Sequence, residues 1–416
     1  MTKNDAKGQL KRCLGGYSTG MKNENQASVS EIRRRLCCEK KGLCNMNKIR
    51  LCCPCHFGLE SVLKYEINKI GGENLNVTDG KIAFDGGFDI LARANLRLST
   101  AERVLIELGS FEAKSFEQLF QGVRALPLED FIGKDDAFPV KGHSLNSQLH
   151  SVPDCQKIIK KAAAERLKSR YGISWFGENG AVHQLQFSLY KDICTLYLDT
   201  SGAGLHKRGY RRNSNAAPIK ETLAAGIIDL ARVRADSLVC DPMCGSGTFL
   251  IEAAYKALNV APGLRRKFAA QNWEQIPQEI WRQERSDAMD AIDRKGTFHG
   301  FGFDIDEEAV ILTSENAKKA GVGSKLEIIR QDISRFVQPE RSITLCNPPY
   351  GERMLEIREA EELYKRLGQV LSPSKDKACY IISPHEDFEK FFGKKADKKR
   401  KLYNGMIKCT LYMYFK

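Results

Sequence analysis

After residue 216 strand-forming runs and helical runs take turns, and that alternation constrains the fold most. Parallel strands can be joined only through a crossover, normally a helix, so such a chain builds a parallel α/β sheet. The pattern predicts a helix over Ile219–Ala231, a strand over Ser237–Cys240 and a helix over Gly247–Leu258. Strand Thr297–Phe303, helix Glu307–Ala320, strands Lys325–Ile329 and Ile343–Cys346, helix Ala360–Leu371 and strand Ala378–Ser383 follow. Asn404-Gly405 and the β-formers of Ile407–Phe415 predict a hairpin that closes the sheet with one antiparallel strand. Residues 259–296, which carry Trp273 and Trp281, read as a helical flap inserted into this sheet.

At 416 residues the chain exceeds one ordinary domain of ~100–200 residues, and its first half follows other rules. Lys48–Cys55 reads as a strand, and Leu59, Val62, Leu63, Ile67 and Ile70 recur at helical spacing over Gly58–Ile70. Asp79-Gly80 marks a turn between strands Leu75–Val77 and Ile82–Phe84, followed by a helix at Phe88–Leu98 and a strand at Val104–Leu108. Pro139–Ser144 leads into a long helix, Pro153–Arg170, and then strands Ala181–Leu189 and Ile193–Asp199. An antiparallel sheet with helices on one side is expected here. Residues 201–215 hold five basic side chains including His206, and read equally as a solvated connector or as an RNA contact.

The net charge is +13. Ten basic and four acidic residues in 1–45 account for +6 of it, leaving +7 on the rest, a balance that favours polyanionic partners. The polar, Gly-, Asn- and Ser-rich segment 1–45 reads as a disordered extension, with Met46 a candidate initiator. No apolar run approaches the ~18 residues of a membrane helix, and Met1–Gly20 has no apolar core, so a cytosolic protein is expected. Of fourteen cysteines, Cys52, Cys53, Cys55 and His56, with Cys37, Cys38 and Cys44 upstream, lie closest together. Their spacing is too irregular for two ligand pairs, so reduced, buried thiols are expected and no metal. Seven basic residues in Lys390–Lys401 read as a solvated hairpin tip ahead of an RNA contact.

Four motifs carry chemistry. Asp241-Pro-Met-Cys-Gly-Ser-Gly-Thr248 joins a strand to a helix; Gly245 and Gly247 admit a ligand close to the backbone, and the helix N-terminus offers free N–H groups. It lacks the lysine of a phosphate loop, and Leu250 stands where a dinucleotide fingerprint needs its third glycine. In Gly302-Phe-Asp-Ile-Asp306, Asp304 is placed to accept from ribose hydroxyls while Asp306 caps a helix. Asp332 reads equally as an acceptor for an adenine amine or as a local cap. The fourth, Asn347-Pro348-Pro349-Tyr350-Gly351, is the most specific. Two prolines freeze the backbone, so the Asn347 oxygen and the Pro348 carbonyl become fixed acceptors for an aromatic amine, whose nitrogen lone pair they free for attack. Tyr350 is expected to stack on the base.

In this combination and order the motifs resemble those of class I S-adenosylmethionine-dependent methyltransferases that act on base amines. More narrowly, they are similar to THUMP-domain RNA methyltransferases, close to the guanine-N2 half of the bacterial bifunctional large-subunit rRNA enzyme. Gly204-Leu-His-Lys-Arg-Gly-Tyr210, Ala217-Pro-Ile-Lys-Glu221, Ala261-Pro-Gly263, His143–Asp154 and Pro54–Glu60 carry the same resemblance, which covers roughly residues 46–416. It implies a ferredoxin-like domain (46–110), a THUMP RNA-binding domain (111–203), a connector (204–215) and a Rossmann-like methyltransferase domain (216–416). It also implies a donor site of Asp241, Gly245, Gly247, Asp304 and Asp332 for S-adenosylmethionine, and an amine site of Asn347, Pro348, Pro349 and Tyr350. Structured RNA, with 23S rRNA the expected source, would be held by Lys141, Ser144, Lys157, Lys160, Lys161, Lys207, Arg208, Arg211 and Arg212. Adenine-N6 methylation, or RNA binding without catalysis, are the competing expectations.

Overall fold

A computed structural model describes residues 48–211, 219–351 and 354–416. The expectations for residues 1–45, Arg212 and Ala217-Pro218 lie outside them.

The first sheet has seven strands in the order β2-β3-β1-β4-β7-β6-β5. They are β1 (Ile49–Pro54), β2 (Glu73–Thr78), β3 (Lys81–Gly86), β4 (Leu105–Glu112), β5 (Val140–Leu145), β6 (Leu185–Tyr190) and β7 (Ile193–Asp199). Helices α1 (Glu60–Ile70) and α2 (Phe88–Arg97) pack on the half around β1, and α3 (Phe116–Ala125) and α4 (Val152–Tyr171) pack beside the half around β7. Helix α1 buries Val62, Leu63, Ile67 and Ile70, the spacing seen in the sequence, and ends at Gly71 in the left-handed conformation. Two expectations need correction. The sheet is not wholly antiparallel, because β5 and β6 run parallel, with α4 as the crossover this requires. Helix α3 was not foreseen: its short apolar face buries only Leu119 and Val123, too few to show a period.

The second sheet orders its strands β10-β9-β8-β11-β12-β14-β13. Strands β8 (Leu238–Asp241), β9 (His299–Asp304), β10 (Leu326–Arg330), β11 (Ser342–Cys346) and β12 (Lys377–Ser383) are parallel. Strand β14 (Ile407–Tyr414) pairs antiparallel with both β12 and β13 (Lys398–Asn404). Helices α5 (Glu221–Leu230), α6 (Thr248–Ala257), α8 (Glu307–Ala320) and α9 (Met354–Val370) alternate with the strands of this half. The order reverses between β8 and β11, and in an open α/β sheet such a switch opens a crevice at the carboxyl ends of the strands. The expected closing hairpin is present, turning at Asn404-Gly405 and placing β14 antiparallel to β12. Lys398–Lys401 belong to an edge strand and not to a hairpin tip, and a short helix, α10 (Phe388–Phe392), precedes it. Lysines on an edge strand deter pairing with another sheet.

The insertion 259–296 is not a loose flap. Its helix α7 (Gln278–Asp290) lies against α2, where Arg93 makes a bidentate pair with Glu284 at 2.8 and 2.6 Å. Trp273 stacks on His183 of the first half (4.4 Å between ring centroids, 19° between planes) and donates its indole N–H to the Val182 carbonyl. Trp281 stacks on Phe268. Apolar side chains of the insertion and of the first sheet thus share one core. Cys52 and Cys53 of β1 and Cys55 just after it are buried free thiols.

Candidate active site

The carboxyl ends of β8, β9 and β11 and the turn after β10 surround a cleft of about 750 Å³. Asp241, Gly245, Asp304, Asp332, Asn347, Pro348, Pro349 and Tyr350 all line it. Four motifs far apart along the chain therefore meet where the strand order switches.

The glycine turn is held by the next strand. Gly245 adopts φ +53° with open space where a Cβ would stand, and its N–H donates to Asp304 at 2.9 Å. The other Asp304 oxygen accepts from the Asp306 N–H at 3.1 Å, and Asp306 caps α8 by accepting from the Glu308 N–H. Asp304 thus ties two loops together while keeping lone pairs toward the cleft. Gly247 does not line the cleft. At φ +78° a Cβ there would meet the Thr313 methyl at 2.7 Å, so this glycine permits the close packing of α6 and α8.

Asp241 is buried and accepts from the Met243 N–H at 3.1 Å. Burial pushes its pKa up to about 8, with the neighbouring Asp304 adding to the rise against that hydrogen bond. A buried carboxylate in such need of a positive partner suits a ligand ammonium. Asp332 differs: it is accessible, caps a short 3₁₀ turn by accepting from the Ser334 N–H at 2.8 Å, and has its pKa lowered chiefly by Ser334. Sequence reasoning missed two apolar side chains that follow these acids, Ile305 (63 % exposed) and Ile333. In the sequence their signal is an apolar residue directly after each acid; Ile305 stands exposed, whereas Ile333 is buried. Carboxylates for amine and hydroxyl groups, with apolar walls for a ring, form a donor set that fits S-adenosylmethionine.

Opposite stands Asn347. Its Oδ1 accepts from the Tyr350 hydroxyl at 2.7 Å, and that hydroxyl lies 3.3 Å from Asn404 Nδ2 and 3.8 Å from Cys409 Sγ. Tyr364 donates to the Pro349 carbonyl at 3.0 Å and so pins the diproline turn to α9. Burial raises the Tyr350 phenol further above its ordinary value, leaving it a neutral donor. These contacts give Tyr350 a positioning role through its hydroxyl, while its ring lines the cleft. The Asn347 oxygen retains a second lone pair for a substrate amine.

The RNA contacts expected from the sequence divide. Lys141, Lys157, Lys161 and Lys207 are exposed. Arg208 is not available: it is 3 % exposed, pairs with Glu252 at 3.2 Å and donates to the Ser99 and Leu205 carbonyls. Arg211 turns inward onto Thr248, the Ile219 carbonyl and Glu221. Lys160 pairs with Glu178 and sits 3.6 Å over the Phe138 ring, and Ser144 donates to the Leu149 carbonyl. In each case the side chain fills a structural role, which the sequence, showing only charge and polarity, did not reveal.

Comparison with known proteins agrees with this construction. Residues 50–105 match a model described as the RlmL ferredoxin-like domain, 113–199 the THUMP domain, and 208–413 an RMKL-like methyltransferase domain. YpsC of Bacillus subtilis, named as a candidate RNA methyltransferase, is 40% identical over 89% of this chain and 97% of its own length. The ribosomal RNA large subunit methyltransferase K/L of Psychromonas ingrahamii is 32% identical over 87% of this chain, which spans only 49% of that protein. Among solved structures, a protein of Listeria monocytogenes described as a predicted N6-adenine-specific DNA methylase is 39% identical, with a TM-score of 0.84 over 91% of this chain and 98% of its own. A further methyltransferase, SMU.472, solved with S-adenosylhomocysteine, is 36% identical, with a TM-score of 0.84 over 89% and 98%. Fold, cleft and matches together define an S-adenosylmethionine-dependent methyltransferase that carries a THUMP domain. The chain belongs to the RMKL-like methyltransferase family, of which YpsC is a full-length relative.

Proposed function

We propose that this protein methylates the exocyclic N2 of a guanine in RNA of the large ribosomal subunit, acting in the cytosol. The reading is carried by one observation, the meeting of the Gly245 turn and Asn347-Pro348-Pro349-Tyr350 in a single cleft. RNA as the substrate class is supported by the THUMP match and by the names of YpsC and the K/L enzymes. When bound, S-adenosylmethionine supplies a methyl group already activated by its sulfonium charge. The remaining work is positioning, which can contribute ~7–11 kcal/mol. Asp241 would take the ammonium, Asp304 the ribose hydroxyls and Asp332 the adenine amine. Asn347 Oδ1 and the Pro348 carbonyl accept the hydrogens of the target amine and draw its lone pair out of conjugation. Positive charge growing on that nitrogen is then stabilised by the same two oxygens. Asn347→Ala should lower kcat by roughly 10²–10³ while RNA binding persists.

A second reading, adenine-N6 methylation, is favoured by the printed name of the Listeria structure, since an amine clamp of this kind suits either base. Mass analysis of ribosomal RNA nucleosides from cells with and without the gene separates the two. Loss of N2-methylguanosine is the expected result. Loss of N6-methyladenosine with N2-methylguanosine intact would overturn it.

A further inference from the structure

Beside the cleft mouth lies a surface that the donor and amine sites leave unused. Met406, in the turn between β13 and β14, is 98 % exposed. Two residues earlier, Asn404 donates to the Tyr350 hydroxyl, so this tip is tethered to the amine site. On the outward face of the hairpin Tyr403 (37 % exposed) pairs across the strands with Lys408, and Lys401 with Thr410. Phe57 (49 % exposed), from the loop between β1 and α1, meets Tyr403 edge-on at 6.2 Å.

That loop is built to reach the hairpin. Arg400 donates to the Gly58 carbonyl at 2.9 Å. Gly58 has φ +89°, and a Cβ there would come within 2.8 Å of the Lys401 carbonyl. Glu60 holds the loop by accepting from the N–H groups of Gly58 and Gly80. The Phe57-Gly-Leu-Glu60 motif therefore places an aromatic ring on the methyltransferase half, where no core needs it.

We infer that Phe57, Tyr403 and Met406, flanked by Lys401 and Lys408, form a stacking platform for the nucleotides adjoining the methylated base. This rests on the proposed action on RNA. A base can reach the amine clamp only if it leaves its stack, and its neighbours then need a new apolar surface. Exposed rings interleaved with lysines are what unstacked RNA requires: base faces on the rings, phosphates on the cations. Met406 is a side chain of the kind that nucleic-acid-bending proteins insert between base steps.

The test uses the full chain and 23S ribosomal RNA isolated from a strain lacking the gene. Tyr403→Ala/Met406→Ser should weaken RNA binding, measured without cofactor, roughly tenfold or more. Its logarithmic salt slope should stay unchanged, because every cation that faces a phosphate remains in place. Lys401→Ala/Lys408→Ala should instead flatten the slope. Affinity for S-adenosylmethionine and the melting temperature should match wild type in both variants, and photo-crosslinks should map to Phe57 or Tyr403. Unchanged RNA affinity in the first variant overturns the inference. So does a wild-type dimer that this variant dissolves without effect on RNA, which would make the patch a self-association surface. If wild-type protein binds no RNA at all, the parent reading has failed instead.

Discussion

At the scale of the residue, the proposed amine site depends on one hydroxyl. Tyr350 fixes the Asn347 side chain so that its oxygen, and not its NH2, lies beside the phenol. Tyr350→Phe removes a hydrogen bond worth about 1 kcal/mol, so kcat should fall roughly fivefold to tenfold, with affinity for S-adenosylmethionine unchanged in a calorimetric titration. Asp241 makes a prediction in pH. Its pKa is raised on folding, so the native state holds a proton that the unfolded state has released, and its contribution to stability falls as pH rises from about 4 to about 8. Asp241→Asn should therefore melt like wild type near pH 4 and increasingly above it toward pH 8, while losing cofactor affinity. A constant difference in melting temperature across that range would refute this. The motifs that predicted these positions were legible because each needs an unusual residue at a fixed place. What Tyr350, Arg208 and Gly247 touch was not, because partners distant in sequence decide it.

Elements with a strong period were readable in advance. Helix α8 has the predicted bounds Glu307–Ala320, capped by Asp306 and ended by Gly321 in the left-handed conformation. The strands β8 to β12 follow the expected order along the chain. Elements defined by tertiary contact were not readable: α3 is too short, and α7 has a mostly polar sequence whose few buried positions, Trp281, Glu284 and Ala288, face another domain. The insertion behaves as a brace, so Trp273→Ala should cost about 3–5 kcal/mol, although it lies far along the chain from the sheet it supports. Calorimetry should show one transition moved to lower temperature; a second transition, with the first half unaffected, would contradict the shared core.

For the whole molecule, the junction centres on Arg208 and Glu252, which are buried together, with Tyr210 donating to Glu252 at 3.1 Å. Removing either charge alone should destabilise the protein by about 3–5 kcal/mol, and Arg208→Met/Glu252→Leu much less than the sum, as a denaturant double-mutant cycle would reveal. RNA affinity should answer to other cations. Replacing Lys141, Lys157, Lys161 and Lys207 by alanine should reduce the salt slope of binding, by about 0.7–0.9 for each phosphate that is no longer neutralised. The Trp273 brace and the Arg93–Glu284 clamp have a consequence for target choice. They tie the methyltransferase half to both parts of the first half, so an RNA held as proposed would meet the amine clamp at a set distance from its point of anchorage, and that span, more than the letters around it, would choose the nucleotide.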